Sequence, residues 1–203
     1  MSEYVCGLDL GQSKDYTALA IAERVIPPGE RHATYLFRHI QRLPLGTSYP
    51  AVVAYVTDLL NRPPLAKSYT AFALDYTGVG RPVADMFRQA NMPCALYLIS
   101  VHGGNAVTWE GYGGSITVSV PKRDLISSAQ VLLQSKRLEI AGAMPDTANL
   151  VSELQGYQVK IDPATAHDSY AAWREGVHDD LVFSLCLACW IGEHRLRVGT
   201  LRG

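Results

Sequence analysis

Apolar residues recur along this chain in two rhythms, alternation at every second residue and stripes every three to four, and the switches between them delimit the elements. Residues 4–10 (YVCGLDL) and 16–26 (YTALAIAERVI) read as strands joined by the turn GQSKD, and a third strand at 33–41 (ATYLFRHIQ) follows the turn at Pro27, Pro28 and Gly29. Three consecutive strands on short turns predict an antiparallel meander. The rhythm then changes. Val52, Val53, Val56, Leu59 and Leu60 stand at helical spacing within 48–61, with Ser48 as a candidate cap and Pro63 as a stop. A strand at 70–76 (TAFALDY), a helix at about 81–91 with Pro82 at its start and Val83, Met86 and Phe87 inward, and a strand at 94–101 (CALYLISV) complete this half.

The segment 102–175 reads as an insertion. It opens with a Gly-rich hairpin whose second arm, SITVSV, ends at Pro121, and continues into a helix at about 123–134 with Leu125, Ile126, Ala129, Leu132 and Leu133 inward. A short strand RLEIA, a helix near 147–155 and two short extended pieces at 157–161 and 169–173 follow. Gly103, Gly104, Gly111, Gly113 and Gly114 make a loop that is either mobile at a substrate or plain turn chemistry. The last element, 178–191 (HDDLVFSLCLACWI), begins with two carboxylates after Gly176 and then carries no charge from 181 to 191, which predicts a helix buried on nearly every side with its acids at the positive end of the dipole.

Strand, strand, strand, helix, strand, helix, strand and a closing helix is the order of a mixed sheet with crossover helices, the ribonuclease H-like α/β plan. In that plan the first and fourth strands lie parallel and adjacent. Asp9 and Asp75 are each the sole acid of an apolar run, near the ends of those two strands, and an acid so placed is costly to bury unless it is paired or bound to a cation. With Asp179 and Asp180 opening the last helix, the pattern predicts a cluster of acids at one sheet end.

Composition narrows the classes. The 203 residues suit one domain able to bury a core without staples, with an insertion at 102–175, and a net charge of -1 excludes a generally basic nucleic-acid binder. Local basic clusters remain at Lys122 and Arg123, at Lys136 and Arg137, and in the tail at His194, Arg195, Arg197 and Arg202. Four cysteines indicate a reducing compartment, and the C-x-x-C spacing of Cys186 and Cys189 falls inside the apolar helix, where zinc has no polar access. Neither a signal peptide nor an apolar stretch of membrane-spanning length is expected, so the reading is a cytoplasmic protein with no membrane partner.

The trio GLDLG at 7–11, ALDYTGVG at 73–80 and GVHDDLVFSLCLACW at 176–190, with VPKRDLISSAQVLLQSKRLEI between, resembles the nuclease domain of viral terminase large subunits, those of tailed bacteriophages in particular. The resemblance spans nearly the whole chain, and H-D-D-L-V is its most specific part. It implies an endonuclease that cuts double-stranded DNA concatemers during genome packaging in the infected host cell, beside an ATPase motor, a portal and a small terminase subunit. It also implies that Asp9, Asp75 and one or both of Asp179 and Asp180 bind metal, with Asp179 favoured as the direct ligand. No G-x-x-x-x-G-K-[ST] phosphate loop stands in this chain, so the expectation is the nuclease half of a terminase or a free-standing relative.

Oxygen-only ligands suit Mg2+ or Mn2+, and two such ions roughly 4 Å apart fit in-line hydrolysis at phosphorus. His178 is a candidate to orient water or phosphate, and Lys122 and Arg123 are candidates to hold the DNA backbone, which predicts weak sequence preference and strong salt sensitivity. Three rivals stay open: a Holliday-junction resolvase of the same fold, an actin or sugar-kinase-like ATP site suggested by GLDLGQSKDYTA, and a degenerate nuclease serving as an assembly module.

Overall fold

The computed structural model describes residues 3–11, 15–112, 114–160 and 179–199. The meander is β1 (Glu3–Asp9), β2 (Ala18–Val25) and β3 (Thr34–Arg42). It is followed by α1 (Tyr49–Leu60), β4 (Tyr69–Asp75), α2 (Gly80–Gln89) and β5 (Ala95–His102). The hairpin β6 (Thr108–Tyr112) and β7 (Ser115–Pro121), then α3 (Lys122–Gln134), β8 (Leu138–Ile140), α4 (Thr147–Lys160) and α5 (Asp180–Gly199) complete the order.

The strands form one mixed sheet in the order β6-β7-β5-β4-β1-β2-β3-β8. β1 and β2, and β2 and β3, pair antiparallel, whereas β4 pairs parallel with β1, and β5 and β7 continue the parallel half. The expected ribonuclease H-like plan is therefore present, and the insertion widens it at both edges. β7 slots in beside β5, and the three-residue β8 pairs parallel with β3. Because β6 runs back along β7, Gly103 and Gly104 lie at the end of the sheet where β1, β4 and β5 finish, while Gly114 turns the hairpin at the opposite end. Of the glycines read as one loop, Gly103 and Gly104 thus serve one turn and Gly114 another, Gly111 lies within β6, and Gly113 is outside the described residues.

Alternation along the strands sends side chains to two cores. One face takes Cys6, Leu8, Phe72, Leu74 and Leu98 under α1 and α2. The other takes Val5, Ala18, Ala20, Ala22, Ala71, Ala73 and Ile99 under α3, α4 and α5. Cys6 thus faces away from Cys186 and Cys189, so the four thiols cannot converge on one ion.

Ser48 occupies the N-cap of α1, where its carbonyl accepts the Val52 N–H at 2.9 Å, but its hydroxyl makes no capping bond. Two expectations need correction. Met86 is 38% exposed, because Val83, Ala84 and Phe87 form the inward stripe of α2 and turn Met86 to its flank. The extended piece at 157–161 is instead the last part of α4 as far as Lys160, since the helix that carries Leu150 and Leu154 runs unbroken from Thr147. The piece expected at 169–173 lies outside the described residues.

The far half of α5 is anchored by a polar group away from the acids. The Tyr35 hydroxyl donates to Glu193 Oε1 at 2.8 Å, Arg137 Nη2 donates to the same oxygen at 2.7 Å, and Arg195 stacks 3.7 Å over the Tyr69 ring beside Glu3. Among the described residues no helix is long and apolar enough to cross a membrane.

Candidate active site

Asp9 and Asp75 close β1 and β4, and the register sets them directly opposite each other. Adjacent strands run about 4.8 Å apart, and residues opposite one another in a parallel pair point to the same face. That face is the one under α5, because Asp9 continues the alternation of Val5 and Gly7, and Asp75 that of Ala71 and Ala73. Two carboxylates therefore stand side by side at one sheet end.

Gly7 brings the third acidic piece to them. A Cβ built at Gly7 would stand 2.0 Å from the Ser184 carbonyl oxygen and 2.7 Å from the Ala188 nitrogen, so α5 rests on bare backbone of β1 there. Two residues along β1, from Gly7 to Asp9, advance about 6.6 Å. Four residues back along α5, from Ser184 to Asp180, cover about 6 Å, which carries the helix start to the end of the strand. The small floor of Ala18, Ala20, Ala22, Ala71 and Ala73 admits this close approach.

The electrostatics record the gathering. Withdrawal from water pushes the Asp9 carboxyl well above the usual carboxylate range, and Asp75, Asp180 and Asp179 push it further, with the Lys122 ammonium opposing them. Asp75 and Asp180 are buried and Asp179 is half-buried. Asp75 Oδ1 accepts the Thr77 N–H at 2.8 Å, while Thr77 Oγ1 accepts the Val101 N–H at 2.7 Å, so the turn after β4 holds its acid in place. Asp179 is the residue whose carbonyl accepts the first bond of α5, from Phe183 N–H at 2.8 Å.

The basic candidates separate. Lys122, the first residue of α3, lies with its Nζ 5.6 Å from the Phe183 ring centroid and acts electrostatically on Asp9, so it belongs to the site. Arg123 points outward and pairs with Asp124 at 3.4 Å. Arg137 and Arg195 are engaged in the anchor of α5, and His178 lies outside the described residues.

Two residues at the site escaped the sequence reading. Glu153 of α4 accepts the Val182 N–H on Oε2 at 3.0 Å and an Arg42 Nη2 donor on Oε1 at 2.5 Å. Its pKa stands raised at about 7, with burial as the main cause, the Val182 and Arg42 contacts opposing it, and Asp180 and Asp179 adding to it. Arg42 itself comes within 3.5 Å of Asp180 Oδ2. The available signal for Glu153 was its position three after Leu150 and one before Leu154, an acid on the inward stripe of a helix. For Arg42 at the end of a strand there was none.

Among the described residues no group of three or more His, Cys, Asp or Glu side chains is arranged to hold a metal ion. The donor chemistry nevertheless fits a hard divalent cation: carboxylates from three chain segments crowd together, and beyond burial their repulsion raises the pKa of Asp9 further, a repulsion that a cation among them would relieve.

No family model and no curated protein matches the chain. Among solved structures, the chain is similar to the human cytomegalovirus terminase nuclease domain soaked with manganese and bound to an inhibitor, with a TM-score of 0.59, 11% identity, and coverage of 97% of this chain and 85% of that one. The same domain soaked with manganese alone gives a TM-score of 0.55 at 12% identity, with the same coverage. The shared property is the fold. Both neighbours are herpesvirus proteins, so the likeness does not distinguish that lineage from the tailed-bacteriophage one that the sequence motifs resemble.

Proposed function

We propose that this chain is a metal-dependent endonuclease that cuts double-stranded viral DNA concatemers during genome packaging. The observation that carries the reading is the registered pair Asp9 and Asp75 beneath the acidic start of α5, in a fold shared with a terminase nuclease domain. Asp9, Asp75, Asp179 and Asp180 would hold two Mg2+ or Mn2+ ions. Such cations, when bound, supply positive charge to the attacking water and to the departing 3′-oxygen.

The chain's own residues prepare that chemistry. Asp9 and Asp75, on adjacent strands, and Asp180, on a helix seated against bare backbone, form a rigid acidic wall that excludes phosphate unless cations intervene. Lys122 offsets part of that charge and offers an ammonium beside the acids for a phosphate oxygen. Arg123, on the exposed side of the same turn, suits a contact to the DNA backbone, which positions the duplex and reads no base. An ATPase motor, a portal and a small terminase subunit are the partners such a nuclease implies, and the cytoplasm of the infected host cell is its setting.

The test is cleavage of supercoiled plasmid with Mn2+. Asp9→Ala and Asp75→Ala are each expected to abolish cutting while circular dichroism stays that of the wild type; full cleavage by either variant rejects the site. Selective cutting of four-way junctions over linear duplex would replace this reading with the resolvase one.

A further inference from the structure

Arg42 ties β3, α4 and α5 together at the acidic site. Its backbone N–H donates to Asp146 Oδ2 at 2.9 Å, just before α4, and its Nη2 donates to Glu153 Oε1 and lies 3.5 Å from Asp180 Oδ2. The other Glu153 oxygen accepts the N–H of Val182, one of the first-turn amides that have no partner inside the helix. On its far side the guanidinium lies 4.9 Å over the Tyr16 ring, which fixes its plane. The side chains of Arg42, Glu153 and Asp180 are 17%, 7% and 9% exposed, so salt and solvent screen this group far less than the exposed pair Arg62 and Asp58.

We infer that Arg42, acting with Glu153, is the positioning residue of the acidic site: one guanidinium shared between Glu153 and Asp180 sets the height and rotation of the first turn of α5 over the ends of β1 and β4. A helix start seated on Gly7 can still slide or roll about that contact. The Arg42 and Glu153 clip removes that freedom by holding the backbone through Val182 and the acid through Asp180. One nitrogen, Nη2, faces both carboxylates while the guanidinium plane lies over Tyr16; a lysine ammonium at this place keeps the charge but not the plane that aims it. The consequence for cutting rests on the nuclease reading, whereas the positioning is a property of the metal-free protein.

Arg42→Lys isolates the geometry, because net charge is conserved. It is expected to weaken Mn2+ binding by about tenfold or more, followed by the free-ion electron paramagnetic resonance signal, in line with the loss seen when residues behind metal ligands are changed. Amide hydrogen exchange at Val182 and Phe183 should accelerate in the metal-free protein, with the thermal transition still cooperative. Arg42→Met tests the opposite idea, that the guanidinium is only a competing cation: in that case Mn2+ binds Arg42→Met more tightly than wild type, and the inference is overturned. Wild-type exchange at Val182 in Arg42→Lys overturns it as well. Cleavage by Asp9→Ala at the wild-type rate would instead remove the nuclease reading, leaving the exchange measurement to decide the positioning.

Discussion

Substituting Gly7 by alanine adds one methyl group where α5 touches β1. That carbon would arrive 2.0 Å from the Ser184 carbonyl oxygen, 2.7 Å from the Ala188 nitrogen and 2.9 Å from the Leu187 Cβ, and two of those three atoms are backbone and cannot rotate away. Restoring an ordinary separation requires the helix to rise or slide by about 1 Å, and overpacking of this kind costs about 1–3 kcal/mol. The same displacement moves Asp180 relative to Asp9 and Asp75, and a misplacement of about 1 Å at a reacting centre costs about a hundredfold in rate. Gly7→Ala should therefore lower the urea midpoint without changing the slope of the transition, weaken Mn2+ binding, and reduce plasmid cutting far more than the stability loss alone explains. The assays are chemical denaturation, Mn2+ titration and a cleavage time course on one preparation at a temperature where the variant is folded. A Gly7→Ala protein with wild-type stability and wild-type Mn2+ affinity would refute the placement of α5 on β1, and with it the route by which the acids meet.

Two more outcomes follow from the charges. Asp9 holds its proton well above the usual range, so the folded metal-free protein binds more protons than the unfolded chain from about pH 4 upward, and the stability Asp9 contributes is present at low pH and lost as pH rises through its folded value. Asp9→Asn in the presence of EDTA should accordingly melt higher than wild type by a margin that grows as pH rises above the ordinary carboxylate range, and a margin that shrinks with rising pH contradicts the assignment. Arg123→Ala should weaken DNA binding uniformly across sequences and reduce the salt slope by about 1, leaving Mn2+ affinity alone; a change in cleavage-sequence preference would count against a backbone contact.

Asp9 and Asp75 were legible because each is the sole acid in an otherwise apolar strand, a local anomaly that burial makes expensive. Their adjacency followed from element order, since β1 and β4 become neighbours once the meander is placed. The start of α5 was legible from two acids ahead of an uncharged run. Glu153 and Arg42 were not, because their meaning lies in contacts spanning 111 and 29 residues of chain, and nothing in the local pattern of either segment encodes those partners. The importance of Gly7 was equally hidden: inside a strand it reads as a weak residue, and only the seated helix shows why a side chain is excluded. Strand β8 and the parallel placement of β7 depended on which sheet edge each segment reaches, which the alternation within the strands does not encode.

The polar anchor at Glu193 gives α5 a second fixed point. From Asp180 to Glu193 the helix spans about 20 Å, and a rod that does not bend transmits a tilt from one end to the other. Tyr35 and Arg137, which hold Glu193, lie on β3 and just before β8 at the sheet's outer margin, remote from any phosphate the acids would meet. Wear at that margin would surface at the opposite tip as slack between the strands and the leading turn, so the placement of the acids is answerable to a hinge pin at the far end of the rod.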